Sequence, residues 1–165
     1  MTLSNGVTKM SSANTFDTNS QALKNGFLAS GTVKATIERR PEFTSTSVIF
    51  RRIEKDYIQI IGLMGGRDWN FIVKNTITTG TYDIKDPTIH SIVYVQEITY
   101  DPEYGHVFLS ESGKVTVTEV DFSKGILKLN FQVILWQPDY PGPRTKADGK
   151  IDVSGLQQTP PASRP

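Results

Sequence analysis

The sequence predicts an all-β domain of about ten antiparallel strands, folded as a β-sandwich or a closed barrel, with flexible N- and C-terminal tails. Three observations carry that expectation. Apolar and polar residues alternate with a period of two through most of the chain. Turn-forming residues recur roughly every eight to twelve positions. No stretch sustains a helical period, so a parallel βαβ arrangement is not expected.

The strands follow in order. Val33, Ala35 and Ile37 alternate with Thr32, Lys34, Thr36 and Glu38, until the Arg40-Pro41-Glu42 corner interrupts. Thr46 to Ile53 reads as a second strand, and Tyr57 to Met64 as a third, ended by Gly65-Gly66. Trp69, Phe71 and Val73 share one face of a fourth. A short fifth, Gly80 to Ile84, is closed by Asp86-Pro87. The sixth, Ser91 to Tyr100, is rich in β-branched and aromatic residues. Asp101-Pro102 and Gly105 turn it into a seventh, His106 to Ser110. Glu111-Ser112-Gly113 leads to the cleanest alternation in the chain, Lys114 to Asp121. A hairpin loop ending at Gly125 then opens a long ninth strand, with Leu127, Leu129, Phe131, Val133 and Leu135 on one face. Lys150 to Ser154 is the last.

Composition narrows the function classes. With 18 basic and 17 acidic residues, the formal net charge of +1 does not suit a protein living on a nucleic acid backbone. The chain has no cysteine, which removes disulfides, thiolate metal sites and a cysteine nucleophile, and no cofactor is expected. No signal peptide or membrane-spanning apolar run is legible, so a cytoplasmic location is expected, with specialised export left open. The organisation expected is a Ser/Thr/Asn-rich flexible segment over 1–25, with a short helical turn around Ser20 to Lys24. A single domain over 26–154 and a Pro-rich flexible tail over 155–165 follow.

Two strands carry apolar residues on both faces. Tyr57, Ile61 and Leu63 oppose Ile58, Ile60 and Met64, while Ile92, Tyr94 and Ile98 oppose Val93 and Val95. A strand with one wet face alternates instead. Either the same chain covers the second face, or a partner or a second copy in a homo-oligomer does.

If the strands run up and down, alternate loops gather at the same end. One end is expected to collect Pro41, Gly65-Gly66-Arg67, Asp86-Pro87, Ser112-Gly113 and Trp136 to Ala147. The other collects Glu54-Lys55, Asn75 to Thr79, Asp101 to Gly105 and Phe122 to Gly125. The first end is chemically richer, and its Arg67, Trp69, Trp136, Tyr140 and Arg144 are the candidate ligand-binding residues, with Asp68, Asp139 and Asp148 nearby. Aromatic faces beside Arg and Asp suit a sugar or an aromatic or anionic group, and the prolines of the 137–144 loop limit the entropy lost on binding. Trp69 shares the parity of Phe71 and Val73, a core position. Trp136 shares that of Lys128, Asn130 and Gln132, the polar face.

Other clusters read as ordinary structure. Asp101, Glu103, Tyr104 and His106 match no Ca²⁺ loop and read as a solvated turn, so no metal site is expected. Neighbours in a strand point to opposite faces, so Arg39-Arg40 and Arg51-Arg52 each read as solvated charges rather than one clamp. The two histidines, His90 and His106, follow loops expected at opposite ends, and no catalytic residues are assigned. The function expected is therefore a non-enzymatic β-domain binding a ligand or a protein partner through loops at one end. The alternatives are a calycin-like barrel carrying a small apolar ligand, a small hydrolase using His90 or His106, and an assembly subunit using the doubly apolar strands.

Gly80-Thr81-Tyr82-Asp83-Ile84, Ser112 to Asp121 and Gly125 to Phe131 together resemble a small β-rich bacterial family of unknown function, frequent among Bacteroidetes lipoproteins. In that family a G-x-Y strand precedes an S-G-x-V-x-I-x-x-x-D hairpin that returns through a G-x-F strand. The likeness spans roughly residues 31–154, and its specific part is one hairpin and one short strand. The chain departs from the pattern in lacking a lipoprotein cysteine and in carrying Leu129-Asn130-Phe131 where the family has glycine before the phenylalanine. The resemblance implies an all-β fold and a bacterial source, and it carries over no catalytic residues.

Overall fold

The computed structural model describes residues 7–9, 28–98, 101–138, 140 and 142–158. The helical turn expected around Ser20, most of the 1–25 lead-in, Asp139 and the chain beyond Gln158 lie outside those residues. Eleven strands are described: β1 (Val7–Lys9), β2 (Ser30–Ile37), β3 (Phe43–Ser45), β4 (Ser47–Ile53), β5 (Tyr57–Met64), β6 (Arg67–Lys74), β7 (Gly80–Asp83), β8 (Ile89–Ile98), β9 (Asp101–Asp121), β10 (Ile126–Trp136) and β11 (Thr145–Ser154). No helix occurs among the described residues.

All strand pairs are antiparallel, and the sheet runs β3-β2-β11-β10-β9-β8-β6-β5-β4. Its two edges, β3 and β4, are separated in the chain only by Thr46. The edges are therefore two halves of one bent strand, and the sheet curls into a nearly closed barrel. Individual bonds replace a ladder at the seam. The Ala29 amide donates to the Val48 carbonyl at 2.8 Å, and the Ser45 hydroxyl donates to the Leu63 carbonyl. Past β11, Gln157 bridges to β4, its amide donating to the Phe50 carbonyl at 2.9 Å.

β9 departs from the expected strand order. Ser112-Gly113 reads as a turn in the sequence, yet β9 runs unbroken through it, paired in register with Ile134 and Val133. Gly113 sits at φ 138°, and a Cβ on it would fall 2.1 Å from the Gln132 carbonyl, so no other residue fits without a shift. Up to Leu109 β9 pairs with β8; from Lys114 on, the short β7 takes that edge. The expected seventh and eighth strands are thus one, and the expected fifth lies beside the wall rather than within its up-and-down order.

The core fills the barrel with rings. Trp69 lies 5.6 Å from Phe71, 5.1 Å from Tyr94 and 5.1 Å from Phe131, and Phe71 meets Phe131 at 4.9 Å, centroid to centroid. All four are fully buried. Such offset contacts add to the stabilisation from burying each ring's area. Gly149 makes room for them, because a Cβ there would meet the Phe131 ring at 2.5 Å. Trp69 is a core residue, as its parity predicts.

Candidate binding site at one mouth of the barrel

The order of the strands sorts the loops. One mouth gathers 38–42, Gly65-Gly66, the β8–β9 turn and 137–144; the opposite mouth gathers 54–56, 75–79 and 122–125. Two expected placements need correction. Asp101 to Gly105 belongs with Pro41 and Arg67, and the Asp86-Pro87 turn lies on the β6–β8 connection, which leaves from the opposite mouth. Both errors follow from counting β7 as a wall strand, and dividing β9 in two cancels the error for the loops that come after it.

Arg67 opens β6 and pairs in register with Gln96 on β8, two residues along from the Trp69–Tyr94 pair. Directly paired residues share a face, so all four side chains belong to the inner face. The Arg67 Nε donates to the Tyr94 hydroxyl at 2.6 Å, and its terminal nitrogens donate to the carbonyls of Pro41 (2.8 Å) and Glu42 (3.3 Å). Its guanidinium lies 5.5 Å from the Phe43 ring centre and 5.7 Å from that of Tyr94. The Tyr94 hydroxyl in turn donates to Gln96 Oε1 at 3.1 Å, and the same oxygen accepts from Arg40 Nε at 3.2 Å. Arg39 takes φ 62° in the preceding turn, and Arg40 places its guanidinium 4.6 Å over the Phe108 ring.

Among the described residues, this chain of contacts holds two guanidiniums at the mouth without an ion-paired carboxylate. The ion pairs among the described residues are Arg39–Glu38, Lys128–Glu119 and Arg144–Glu111, none of which includes Arg40 or Arg67. Burial, with the neighbouring Arg67 and Arg39 charges and against the pull of Tyr94, holds the Arg40 guanidinium below its ordinary value. Burial raises the Tyr94 hydroxyl above its usual range, and the Arg67 hydrogen bond opposes that rise. Beneath them the Trp69 indole N–H is buried with no hydrogen-bond partner. At the same mouth the Gln137 amide lies 3.1 Å from His106 Nδ1. In the neutral ring Nδ1 accepts that bond and Nε2 carries the proton.

The five residues singled out in the sequence divide. Arg67 and Trp69 lie inside the barrel, whereas Trp136 lies on the outer wall at the end of β10, opposite Leu109. Arg144 covers the Trp136 ring at 5.4 Å and forms a two-point pair with Glu111, both bonds at 2.8 Å. Tyr140 is 39% exposed on the same loop. The wall of the barrel separates these three from Arg67 and Trp69. Asp68 and Asp148 have outward parity too, although the Asp68 charge still helps to raise the Tyr94 hydroxyl.

Sequence reasoning missed Arg40, Tyr94 and Gln96 as site residues. Tyr94 and Gln96 share a parity on β8, but only the register with Arg67 joins them to it, and register is set by pairing across the sheet. Arg51 and Arg52 do diverge, Arg51 bonding Gln59 at 2.9 Å and Arg52 bonding Gln158 at 3.0 Å. His90 meets Tyr57 with tilted rings whose centres lie 4.7 Å apart, on the outer face and away from His106. No group of three metal-ligating side chains occurs among the described residues, and no described helix is long and apolar enough to cross a membrane. The side chains of Asp101, Glu103 and Tyr104 lie outside those described.

A shallow groove of about 520 Å³ crosses the outer wall over β2, β10 and β11. Lys34, Lys150, Glu42 and Asp148 all line it, so its charge is mixed. Comparison with family models, with curated proteins and with solved structures finds no match to this chain, and the functional reading rests on the geometry of the mouth.

Proposed function

We propose that this chain is a non-enzymatic β-barrel domain that binds a small anionic ligand, a carboxylate or a phosphate ester, at the Arg40–Arg67 mouth. The observation that carries the reading is the pair of half-buried guanidiniums held in place by neutral acceptors. Two like charges brought together out of water cost free energy unless an anion joins them. Arg67 has all three of its nitrogens engaged by carbonyls and a phenol, so its orientation is fixed before any ligand arrives. Such pre-organisation favours charge-assisted, two-point bonds to an oxyanion. The rings of Phe43, Tyr94 and Phe108 beside the guanidiniums favour a ligand with a planar apolar part.

The aromatic filling of the barrel favours a ligand at the mouth over an apolar ligand carried in the interior. His106 faces an amide rather than a carboxylate, which supports binding over His-based hydrolysis. A second reading rests on Trp136 and the exposed Tyr140, which suit a protein partner on the outer wall. Calorimetric titration with inorganic phosphate and with benzoate tests the first reading. Saturable binding, weakened by Arg40→Gln and by Arg67→Gln, is expected. Saturable binding unchanged in both variants would move the site elsewhere.

A further inference from the structure

At the Arg40–Arg67 mouth the acceptors are occupied and donors are left over. The carbonyls of Pro41 and Glu42 and the Tyr94 oxygen accept from Arg67, while Gln96 Oε1 accepts from both the Tyr94 hydroxyl and Arg40 Nε. Of the five N–H groups of a guanidinium, Arg67 uses three in these bonds and Arg40 one. The Gln96 amide nitrogen adds two N–H groups of its own. A ligand here meets donors and positive charge.

A third group stands beside the two arginines. His106 on β9 pairs in register with Gln96, and Phe108 with Tyr94. Directly paired side chains share a face, with their Cβ atoms about 5 Å apart. His106 therefore stands next to the amide that holds Arg40. Its ring centre lies 6.5 Å from that of Phe108, the same ring that Arg40 covers at 4.6 Å. With Nδ1 facing the Gln137 amide at 3.1 Å, the proton of the neutral ring sits on Nε2, a further donor.

Charge narrows the ligand as well. Neither Arg40 nor Arg67 belongs to an ion pair among the described residues. The neighbouring cations that act on Arg40 are Arg67 and Arg39, and the Tyr94 phenol, pushed up by burial, is uncharged at neutral pH. A carboxylate brings one charge and two oxygens, which leaves one guanidinium unbalanced. A phosphate monoester brings about two charges and three outer oxygens, which suits two guanidiniums and one further donor.

We propose that the anion selected at this mouth is the phosphate of a monoester, with Arg40 and Arg67 on two of its oxygens and His106 donating from Nε2 to the third. The inference rests on the anion-binding reading of the mouth and narrows it to one ligand class. His106 is then a specificity residue, which acts on a tetrahedral dianion and not on a planar monoanion.

The test is calorimetric titration of the unaltered chain with phenyl phosphate, phenyl sulfate and benzoate at about pH 7.5, where the phosphate carries nearly both charges. The three probes share a ring, so their differences read the anion alone, and the comparison needs no variant to fold. Phenyl phosphate is expected to bind roughly tenfold or more tightly than either monoanion. His106→Phe is expected to weaken phenyl phosphate by about tenfold and to leave benzoate unchanged, and His106→Gln, which keeps an N–H donor, to recover part of the loss. Equal binding of phenyl phosphate and either monoanion overturns the inference and leaves the anion site standing, whereas binding of none of the three removes both. Equal weakening of phenyl phosphate and benzoate in His106→Phe overturns the assignment of His106, because a merely structural residue acts on both alike. Inorganic phosphate separates the sources of such a group: binding as tight as that of phenyl phosphate makes the free ion the ligand and overturns the monoester.

Discussion

The two mouths of the barrel are built from opposite materials. At one, Ile77, Leu127 and Leu156 are buried, Phe122 meets Phe50 at 6.5 Å, and the chain past β11 bonds across to β4. At the other, the inward positions carry Arg67, Gln96 and His106, with Arg40 above Phe108. An eight-residue strand such as β6 spans both, with Val73 toward the first mouth and Arg67 at the second. Alternation alone treats the two positions alike, since they share a parity. The difference shows that one end of the molecule is spent on cohesion and the other holds polar groups against a ring-filled core, where an unpaired charge costs most.

Breaking the apolar part should cost most. Trp69→Ala removes the ring shared by Phe71, Tyr94 and Phe131 and is expected to destabilise the fold by about 3–5 kcal/mol in urea unfolding. A smaller loss would mean that the rings collapse into the space.

Next in size is a pH effect from Asp68. Its carboxyl is raised to about 7 in the folded chain, so between about pH 4 and 7 the folded state holds a proton that the unfolded chain has released. This contribution to stability is therefore greatest at low pH and falls as pH rises through that window. Asp68→Asn is expected to remove the slope and to stabilise the fold above pH 7 by roughly 1–3 kcal/mol. An unchanged slope in the variant would place the titrating group elsewhere.

At the polar mouth, function and stability should separate. Arg67→Gln removes one of two like charges along with its bonds, so the unfolding midpoint is expected to move little while anion affinity falls roughly tenfold or more. Large destabilisation would make Arg67 a structural tie between the Pro41 turn and β8. The smallest effect belongs to the outer wall. Arg144→Ala breaks an exposed pair with Glu111, and it is expected to leave both stability and anion binding unchanged. A loss of anion binding there would move the site outside the barrel.

Much of this was legible before the structure. Period-two alternation located the strands, and the parity of Trp69 and Trp136 assigned them correctly to the core and the outer face. Closure was not legible, because it rests on the Ala29–Val48 and Ser45–Leu63 bonds across the seam. Nor was the continuity of β9. Gly113 looks like turn chemistry in the sequence, yet it sits at φ 138° within a strand, against the Gln132 carbonyl. The short β7, counted as a wall strand, set Asp101 to Gly105 at the wrong mouth, and the false division at Gly113 restored the sorting of the later loops. Arg40 read as a solvated charge because the sequence does not reveal that Phe108 and Gln96 wait beneath it.

The central claim is that the Arg40–Arg67 mouth is an anion site. Its most direct test is calorimetric titration of the unaltered chain and of Arg40→Gln/Arg67→Gln with phosphate and with benzoate at constant ionic strength. The account expects saturable one-to-one binding of at least one of the two anions, weakened by added salt and abolished in the double variant. Absence of saturable binding of either anion to the unaltered chain, or equal binding by both proteins, would contradict it.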